Sequence, residues 1–205
     1  RGRVLMRPIL ICAACLSYVI LGGCRSEAPE NAGPEQRPAA EVLEQTVSSD
    51  EVEVSVASWE EIQAWVAMQK GKVVVIDLWS TMCLPCMKEF PNFVEFSRAY
   101  EGKVVCASVS VDFIGGPDGV PKDLVEGVTE FLTDSQSAMK NFVASDSDET
   151  VLGKVDAVSV PVSLIYDSQG KLHKRFAEGL GSGQNGAFNY ESDVRGVVDQ
   201  LLDMK

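Results

Sequence analysis

Two cysteines three residues apart stand between an apolar run and an amphipathic segment. Cys83 and Cys86 lie in "WSTMCLPCMKEFP", residues 79–91. Cysteines with this spacing can bind a metal, form a structural disulfide or exchange disulfides with a partner. Residues 12–15, "CAAC", repeat the spacing, so an interpretation of the first pair must also account for the second.

A metal site at this pair has few further ligands to draw on. A structural zinc site needs four ligands, usually two such pairs, and His173 is the sole histidine of the chain. Copper(I) prefers soft sulfur ligands, and Met82 and Met87 flank the cysteines. A Cu(I)-binding protein that uses Met82, Cys83, Cys86 and Met87 therefore stays an alternative, while no resident metal or cofactor is predicted.

Thiol–disulfide exchange accounts for more of the local sequence. Cys83 is predicted at a helix N-terminus, where free backbone N–H groups and the helix dipole stabilise a thiolate. This thiolate can attack a partner disulfide, and Cys86, one turn on and on the same face, can resolve the mixed disulfide. Pro85 suits the first helical turn, because the N–H group that proline lacks has no partner there.

The N-terminus, residues 1–23, has the layout of an export signal. Three arginines precede an apolar stretch, residues 8–21, which at 14 residues is short for a membrane-spanning helix. The stretch ends in "LGGC", which resembles the bacterial lipobox, so Cys24 is predicted to be lipidated and to hold the protein on a membrane. An uncleaved signal anchor is the alternative. Cleavage before Cys24 removes the "CAAC" pair.

Composition divides the rest of the chain into a tether and one domain. Residues 24–51 contain no aromatic residue and are rich in Pro, Ala, Glu and Ser, so they are predicted to form a disordered tether. Residues 52–205 are predicted to form one domain. The chain of 205 residues has a net charge of −12 and no basic run with interleaved aromatics, which argues against nucleic-acid binding.

Alternating strand and helix patterns surround the cysteines. Apolar, β-branched runs predict buried strands at 72–79 and 103–112. Ser58 with Glu61 three residues on predicts a capping box at the start of a helix. The other predicted elements are a helix after the cysteines, a helix at 122–133, a strand at 141–145, a short helix at 148–157, strand–turn–strand over 160–176 and a helix at 190–204. This order predicts a mixed, three-layer α/β fold.

With these elements around it, the sequence resembles the thioredoxin-fold family, most closely its exported, membrane-anchored TlpA/ResA-type branch. The resemblance rests on "IDLWSTMCLPCMKEFP" and "VSVPVSLIYDSQGKL", while residues 113–155 match only loosely. It implies a thioredoxin-like three-layer sandwich, a mixed central sheet flanked by helices. Cys83 and Cys86 match the redox pair, Pro91 the helix-kinking proline, and Pro161 a cis-proline that faces the cysteines.

The resemblance also implies residues that contact a partner protein. Trp79 matches the tryptophan at the strand end, and a cis-Pro161 exposes the backbone of Val160 for strand-like pairing with a substrate chain. Met82 departs from the family, which usually has tryptophan or a similar residue there. This departure is predicted to alter partner choice or the reduction potential.

Asp77 is a second departure from the TlpA/ResA-type branch, most of which has Asn or another residue there, but it matches the buried aspartate of reductive thioredoxins. A carboxyl group buried behind the cysteines has a raised pKa and can accept the proton of Cys86 as that thiol attacks. The alternative is that Asp77 ends a strand and meets water. Cys106 is predicted to be an inert core thiol and His173 a solvated hairpin residue, and the role of Glu89 is left open.

Together these features predict an extracytoplasmic, lipid-anchored thiol–disulfide oxidoreductase. By resemblance, it reduces disulfides of exported partner proteins and draws electrons from an upstream donor in the membrane. Two alternatives stay open, the Cu(I)-binding protein and a non-catalytic thioredoxin-fold module. Retention of both cysteines at an exposed helix start argues against the non-catalytic module, because packing does not need them there.

Overall fold

The computed structural model describes residues 52–177 and 187–204. The predicted export signal, the lipidation site at Cys24 and the tether lie outside the described residues. None of the helices in the described ranges is long and apolar enough to cross a membrane.

Strands and helices alternate along most of the described chain. In chain order the elements are β1 (Val54–Ala57), α1 (Trp59–Met68), β2 (Val73–Trp79), α2 (Leu84–Ala99), β3 (Val104–Ser110), α3 (Lys122–Asp134), β4 (Lys140–Ala144), α4 (Asp148–Lys154), β5 (Val162–Tyr166), β6 (Leu172–Phe176), a π-helical turn (Tyr190–Val194) and α5 (Arg195–Asp203). The predicted capping box is present at the start of α1. The Ser58 N–H group donates to the Glu61 carboxylate at 2.7 Å, and the Glu61 N–H group donates to the Ser58 hydroxyl at 3.3 Å.

The strands form one mixed sheet in the order β1-β4-β3-β2-β5-β6. The first four strands of this order are parallel, whereas β5 runs antiparallel to both β2 and β6. Trp79, the last residue of β2, pairs with Ser110 at the end of β3, and Leu78 pairs with Val162 at the start of β5. The loop that carries the cysteines and the segment before β5 therefore meet at one edge of the sheet.

Alternate residues of β2 face two separate apolar layers. Val73, Val75 and Trp79 pack with apolar residues of α2, α3, the π-helical turn and α5. Val74 and Ile76 pack with apolar residues of α1 and α4 on the opposite face. The sheet is thus covered on both faces, and the predicted mixed, three-layer α/β fold is confirmed.

The structure differs from the sequence prediction in one missed strand and in several element boundaries. β1 was not predicted, because a four-residue strand carries little periodic pattern and its backbone pairing with β4 supplies the stabilisation. The predicted strand at 103–112 is shorter, spanning residues 104–110. The helix predicted at 190–204 begins with one π-helical turn before the regular helix of residues 195–203.

Candidate active site

The two cysteines of the motif differ in their exposure. They are joined by a disulfide with an S–S distance of 2.06 Å. Cys83 is half-buried, whereas Cys86 is 2% exposed and belongs to the apolar layer on the α2 face of the sheet. Only the Sγ atom of Cys83 therefore lies where another protein can approach it, as an attacking thiol requires.

The start of α2 places the Cys83 sulfur next to a backbone N–H group of the first helical turn. Cys83 is the N-cap residue, and the N–H group of Cys86 donates to its Sγ atom at 3.2 Å. Because this N–H group and the helix dipole favour negative charge, they stabilise a Cys83 thiolate once the disulfide is reduced. Pro85 lies in the first turn, as predicted, and α2 continues through Pro91 to Ala99.

The segment before β5 lies against the reactive sulfur. The Val160–Pro161 peptide bond is cis, in agreement with the prediction. The carbonyl oxygen of Val160 is 3.7 Å from the Sγ atom of Cys83. The backbone of Val160 therefore lies beside the reactive sulfur, and its pairing with a partner chain remains a prediction.

Apolar side chains beside Cys83 are exposed to solvent. Met82 is 88% exposed and Leu84 is 71% exposed. A cleft of about 370 Å³ lies beside Met82 and extends to Asp112 and Leu124. The position of Met82 is compatible with its predicted contact to a partner.

The sulfur atoms proposed to bind Cu(I) have different surroundings. Met82 is exposed, whereas Met87 is partly buried and packs against the α2-side core. The two cysteine sulfurs are bonded to each other here, so a Cu(I) site at these residues requires reduction first. Within residues 52–177 and 187–204, no group of three or more His, Cys, Asp or Glu side chains is arranged to hold a metal ion.

Trp79 does not face a partner, which corrects its predicted role in substrate contact. Its side chain is fully buried, and its ring centroid lies 4.9 Å from that of Phe90 and 4.7 Å from that of Phe131. Burial of this large aromatic ring among apolar side chains on the α2 face of the sheet is favourable. Trp79 therefore packs between β2 and the helices α2 and α3 and stabilises their positions.

Asp112, which the sequence analysis did not single out, fixes the loop before Cys83. Its carboxylate accepts hydrogen bonds from the Thr81 N–H group at 2.9 Å, the Thr81 hydroxyl at 2.7 Å and the Ser80 hydroxyl at 2.8 Å. The Ser110 hydroxyl also donates to it. The position of Asp112 just beyond a strand parallel to β2 was the available signal, because parallel strands end at the same edge.

Asp77 is buried on the same face of β2 as Trp79. It is 3% exposed, and the Tyr190 hydroxyl donates a hydrogen bond to its Oδ1 atom at 2.5 Å. The pKa of Asp77 is raised to about 8. Burial raises the pKa most, the hydrogen bond from Tyr190 lowers it, and the negative charge of Glu89 raises it. The alternative of a solvated strand end is thus wrong, while the proton-accepting role stays a prediction.

Glu89 and Tyr190 connect the redox helix to the C-terminal segment. The backbone N–H group of Tyr190 donates to the Glu89 Oε1 atom at 3.0 Å, and Asn92 donates to the other carboxylate oxygen at 3.0 Å. Glu89 therefore contributes both an anchor for this segment and negative charge near Asp77. Sequence reasoning missed Tyr190, since its partner Asp77 lies 113 residues away and no local pattern links them.

The remaining candidates have structural positions. Cys106 is buried in β3, and burial raises the pKa of its thiol to about 12, as expected of an inert core residue. His173 is exposed on β6, in agreement with its predicted solvated position.

Known proteins that resemble this chain are thioredoxins and thiol–disulfide oxidoreductases, although no family model matches it. A thioredoxin of Chlorobaculum thiosulfatiphilum is 30% identical over 91 residues, a match that covers 41% of this chain and 84% of that protein. The thiol-disulfide oxidoreductase ResA of Bacillus thuringiensis (strain Al Hakam) is 31% identical over 103 residues, which is 50% of this chain and 53% of ResA. The solution structure of a Neisseria meningitidis protein assigned as a thioredoxin has a TM-score of 0.50 and 18% identity over 66% of this chain and 77% of that chain.

The mixed sheet with a Cys-x-x-Cys pair at the start of α2 defines a thioredoxin-type redox fold. The chain belongs to the thioredoxin family, because it is 30% identical to a thioredoxin over 84% of that protein's length. Within this family it is similar to ResA, and it spans about half the length of the ResA proteins it matches. The Neisseria meningitidis structure supports the fold alone.

Proposed function

We propose that the chain is a thiol–disulfide oxidoreductase that reduces disulfides of partner proteins. The observation that carries this proposal is the unequal exposure of the Cys83–Cys86 pair. One sulfur is accessible at a helix N-terminus, and the other lies buried one turn behind it. The similarity to ResA supports the same class of reaction.

The reaction transfers two electrons from the cysteine pair to the partner. The Cys83 thiolate attacks one sulfur of the partner disulfide, so an intermolecular S–S bond forms and the partner's S–S bond breaks. The released partner thiolate takes up a proton from water. Cys86 then gives its proton to the Asp77 carboxylate and attacks the Cys83 sulfur, which releases the second partner thiolate. The second thiolate also takes up a proton from water, and Asp77 returns its proton to solvent, so the products are a partner dithiol and the Cys83–Cys86 disulfide seen in the structure.

A further turnover requires an electron donor. The Cys83–Cys86 disulfide must accept two electrons from a second dithiol before Cys83 can attack again. We assign this step to an upstream donor in the membrane and the oxidising step to disulfide-containing exported proteins. Asp77, a carboxyl group with a raised pKa on the sheet face that Cys86 packs against, suits this direction, since it can hold the proton that Cys86 releases.

The reduction potential of the pair tests the direction of electron flow. We expect a value near that of thioredoxin, about −270 mV, when the full chain is equilibrated with defined glutathione and dithiothreitol buffers. The fraction of oxidised protein is measured by thiol alkylation and mass spectrometry, with a Cys83→Ser variant as the blank. A value near about −120 mV contradicts the proposal, because it belongs to an oxidant that introduces disulfides.

The proposal includes attachment to a membrane, outside the cytoplasm, through Cys24. Its support is the sequence itself: three arginines, the apolar stretch of residues 8–21 and "LGGC". We expect the full chain expressed in a bacterium to sediment with membranes and to carry an acylated Cys24 by mass spectrometry. Cys24→Ser should abolish the acylation and the cleavage before residue 24, whereas the control Cys15→Ser should change neither. An acylated, cleaved product that still forms in Cys24→Ser contradicts the anchor.

A further inference from the structure

We propose that Tyr190 is a positioning residue for Asp77, because its hydroxyl holds the buried carboxyl group in one orientation and favours its proton-accepting form. The inference rests on the proposed role of Asp77 in the resolving step. It adds a residue from the C-terminal segment to a site otherwise built from β2, α2 and the segment before β5.

The ring of Tyr190 is fixed in place by aromatic neighbours. It stacks on Phe93 with a centroid distance of 4.6 Å and an interplanar angle of 29°. Phe96 lies 5.8 Å away, and Phe188 packs edge-on at 5.9 Å. Tyr190 is 1% exposed, so its hydroxyl has no access to bulk water and needs a partner inside the protein. The Asp77 Oδ1 atom is that partner.

Hydrogen bonds fix the backbone around Tyr190, in addition to the aromatic contacts of its ring. The Tyr190 N–H group donates to Glu89 of α2, the helix that carries both cysteines. The Asn189 side chain accepts from the Ser192 N–H group at 2.8 Å, and the Asn189 N–H group donates to Asp193 at 3.0 Å. These contacts fix the π-helical turn, so the hydroxyl approaches Asp77 from a defined direction.

Of the groups that act on the pKa of Asp77, Tyr190 is the one that favours the charged form of the carboxyl group. Glu89 faces it from α2 with a negative charge, which opposes ionisation. Ser108 of β3 and Ser163 of β5 pair with Asp77 in the sheet and carry no charge. Among the described residues, Tyr190 is the group that donates a hydrogen bond to this carboxyl.

Two thiols share this face of the sheet with Asp77, Cys86 of α2 and Cys106 of β3. Burial raises the pKa of the Cys106 thiol to about 12, so it stays neutral at the pH values of the reaction. Cys86 is the group from which Asp77 takes its proton. Hydrogen-bond donation to a carboxylate favours the charged form, so loss of the Tyr190 hydroxyl leaves burial and the charge of Glu89 unopposed.

The test compares Tyr190→Phe with the unmodified residue in a full chain whose other four cysteines are alanine. Reduced protein is mixed rapidly with 5,5′-dithiobis(2-nitrobenzoate), and the second release of thionitrobenzoate reports attack by Cys86. We expect the pH midpoint of this rate to rise by about one unit and the rate at pH 7 to fall about tenfold. Above the new midpoint the two rates should converge. Tyr166→Phe is the matched control, since that buried hydroxyl pairs with Gln63 on the opposite face of the sheet.

Asp77→Asn separates this inference from the function on which it rests. If Asp77→Asn leaves the rate and its pH dependence unchanged, the role of Asp77 is wrong, and the inference about Tyr190 falls with it. If Asp77→Asn removes the pH dependence while Tyr190→Phe keeps the original midpoint, the inference alone is overturned. An equal loss of rate at every pH in Tyr190→Phe also overturns it, because that indicates only disturbed packing.

Infrared titration of the carboxyl group gives a readout that does not depend on turnover. The C=O stretching band of protonated Asp77, assigned by its absence in Asp77→Asn, is followed against pH in the oxidised protein. In Tyr190→Phe, the pH at which this band disappears should be higher by about one unit. An unshifted band contradicts the inference even if the exchange rate falls.

Discussion

Replacing Cys86 with serine is expected to stop the protein at a mixed disulfide with its partner. The N–H group of residue 86 is backbone and survives the substitution, so the Cys83 thiolate keeps its stabilising donor and still attacks. The serine hydroxyl cannot displace the Cys83 sulfur, and the intermolecular S–S bond persists. Turnover should fall roughly a thousandfold or more, as losses of a residue that acts as part of a catalytic unit do.

Non-reducing electrophoresis and intact mass measure the trapped complex with a disulfide-containing probe such as insulin. Cys83→Ser should form no complex and show no turnover, because Cys86 is buried at 2% exposure. Cys106→Ala is the control, and because it keeps Cys83 and Cys86 it should turn over like the unmodified protein and accumulate no trapped complex. A stable adduct on the Cys83→Ser variant would mean that the order of attack is reversed.

Asp77→Asn is expected to remove a large pH dependence from the stability of the fold. The pKa of Asp77 is about 8 in the folded protein, against 3.8 for an aspartate exposed to water, because burial penalises its charged form. Between these values the folded state holds a proton that the unfolded state has released. The stabilisation is therefore complete below pH 4 and is lost as the pH rises to 8. The unmodified protein should lose about 1.4 kcal/mol per pH unit relative to Asp77→Asn across this window.

Denaturant unfolding of the oxidised chain at pH values from 4 to 9 measures this difference. From pH 4 to pH 7 the gap in unfolding free energy between the two proteins should change by about 4 kcal/mol in favour of the asparagine variant. Asp123→Asn at the exposed start of α3 should run parallel to the unmodified protein. A gap that stays constant with pH shows that Asp77 is ionised at neutral pH without penalty.

The redox pair and its frame were predictable because their signals are local. The apolar run of β2, the cysteine spacing and the capping box each depend on residues within a few positions of one another. The cis bond before Pro161 and the burial of Asp77 followed from resemblance and from apolar neighbours.

The parts that were missed depend on contacts between distant segments. Tyr190 reaches Asp77 only because α2 and the C-terminal turn pack together, and Asp112 reaches Thr81 only because β2 and β3 end side by side. Trp79 was predicted to contact a partner because resemblance gives its place in the strand but not the aromatic cluster that covers it. These features are set by packing, on which a single sequence carries little information.

The pairing of β1 with β4 bears on how the chain acquires its structure. Val54 lies opposite Asn141 and Ala57 opposite Ala144, so the first strand of the sheet finds its partner more than eighty residues later. Because β4 separates β1 from every other strand, a chain growing from the ribosome has a β1 with no strand to pair with until β4 has been synthesised. Such distant pairing slows folding, because a long loop must close before the contact forms. The unpaired edge of β1 is thus exposed to wrong partners throughout that interval, and binding by a chaperone would protect it most during this stage of synthesis.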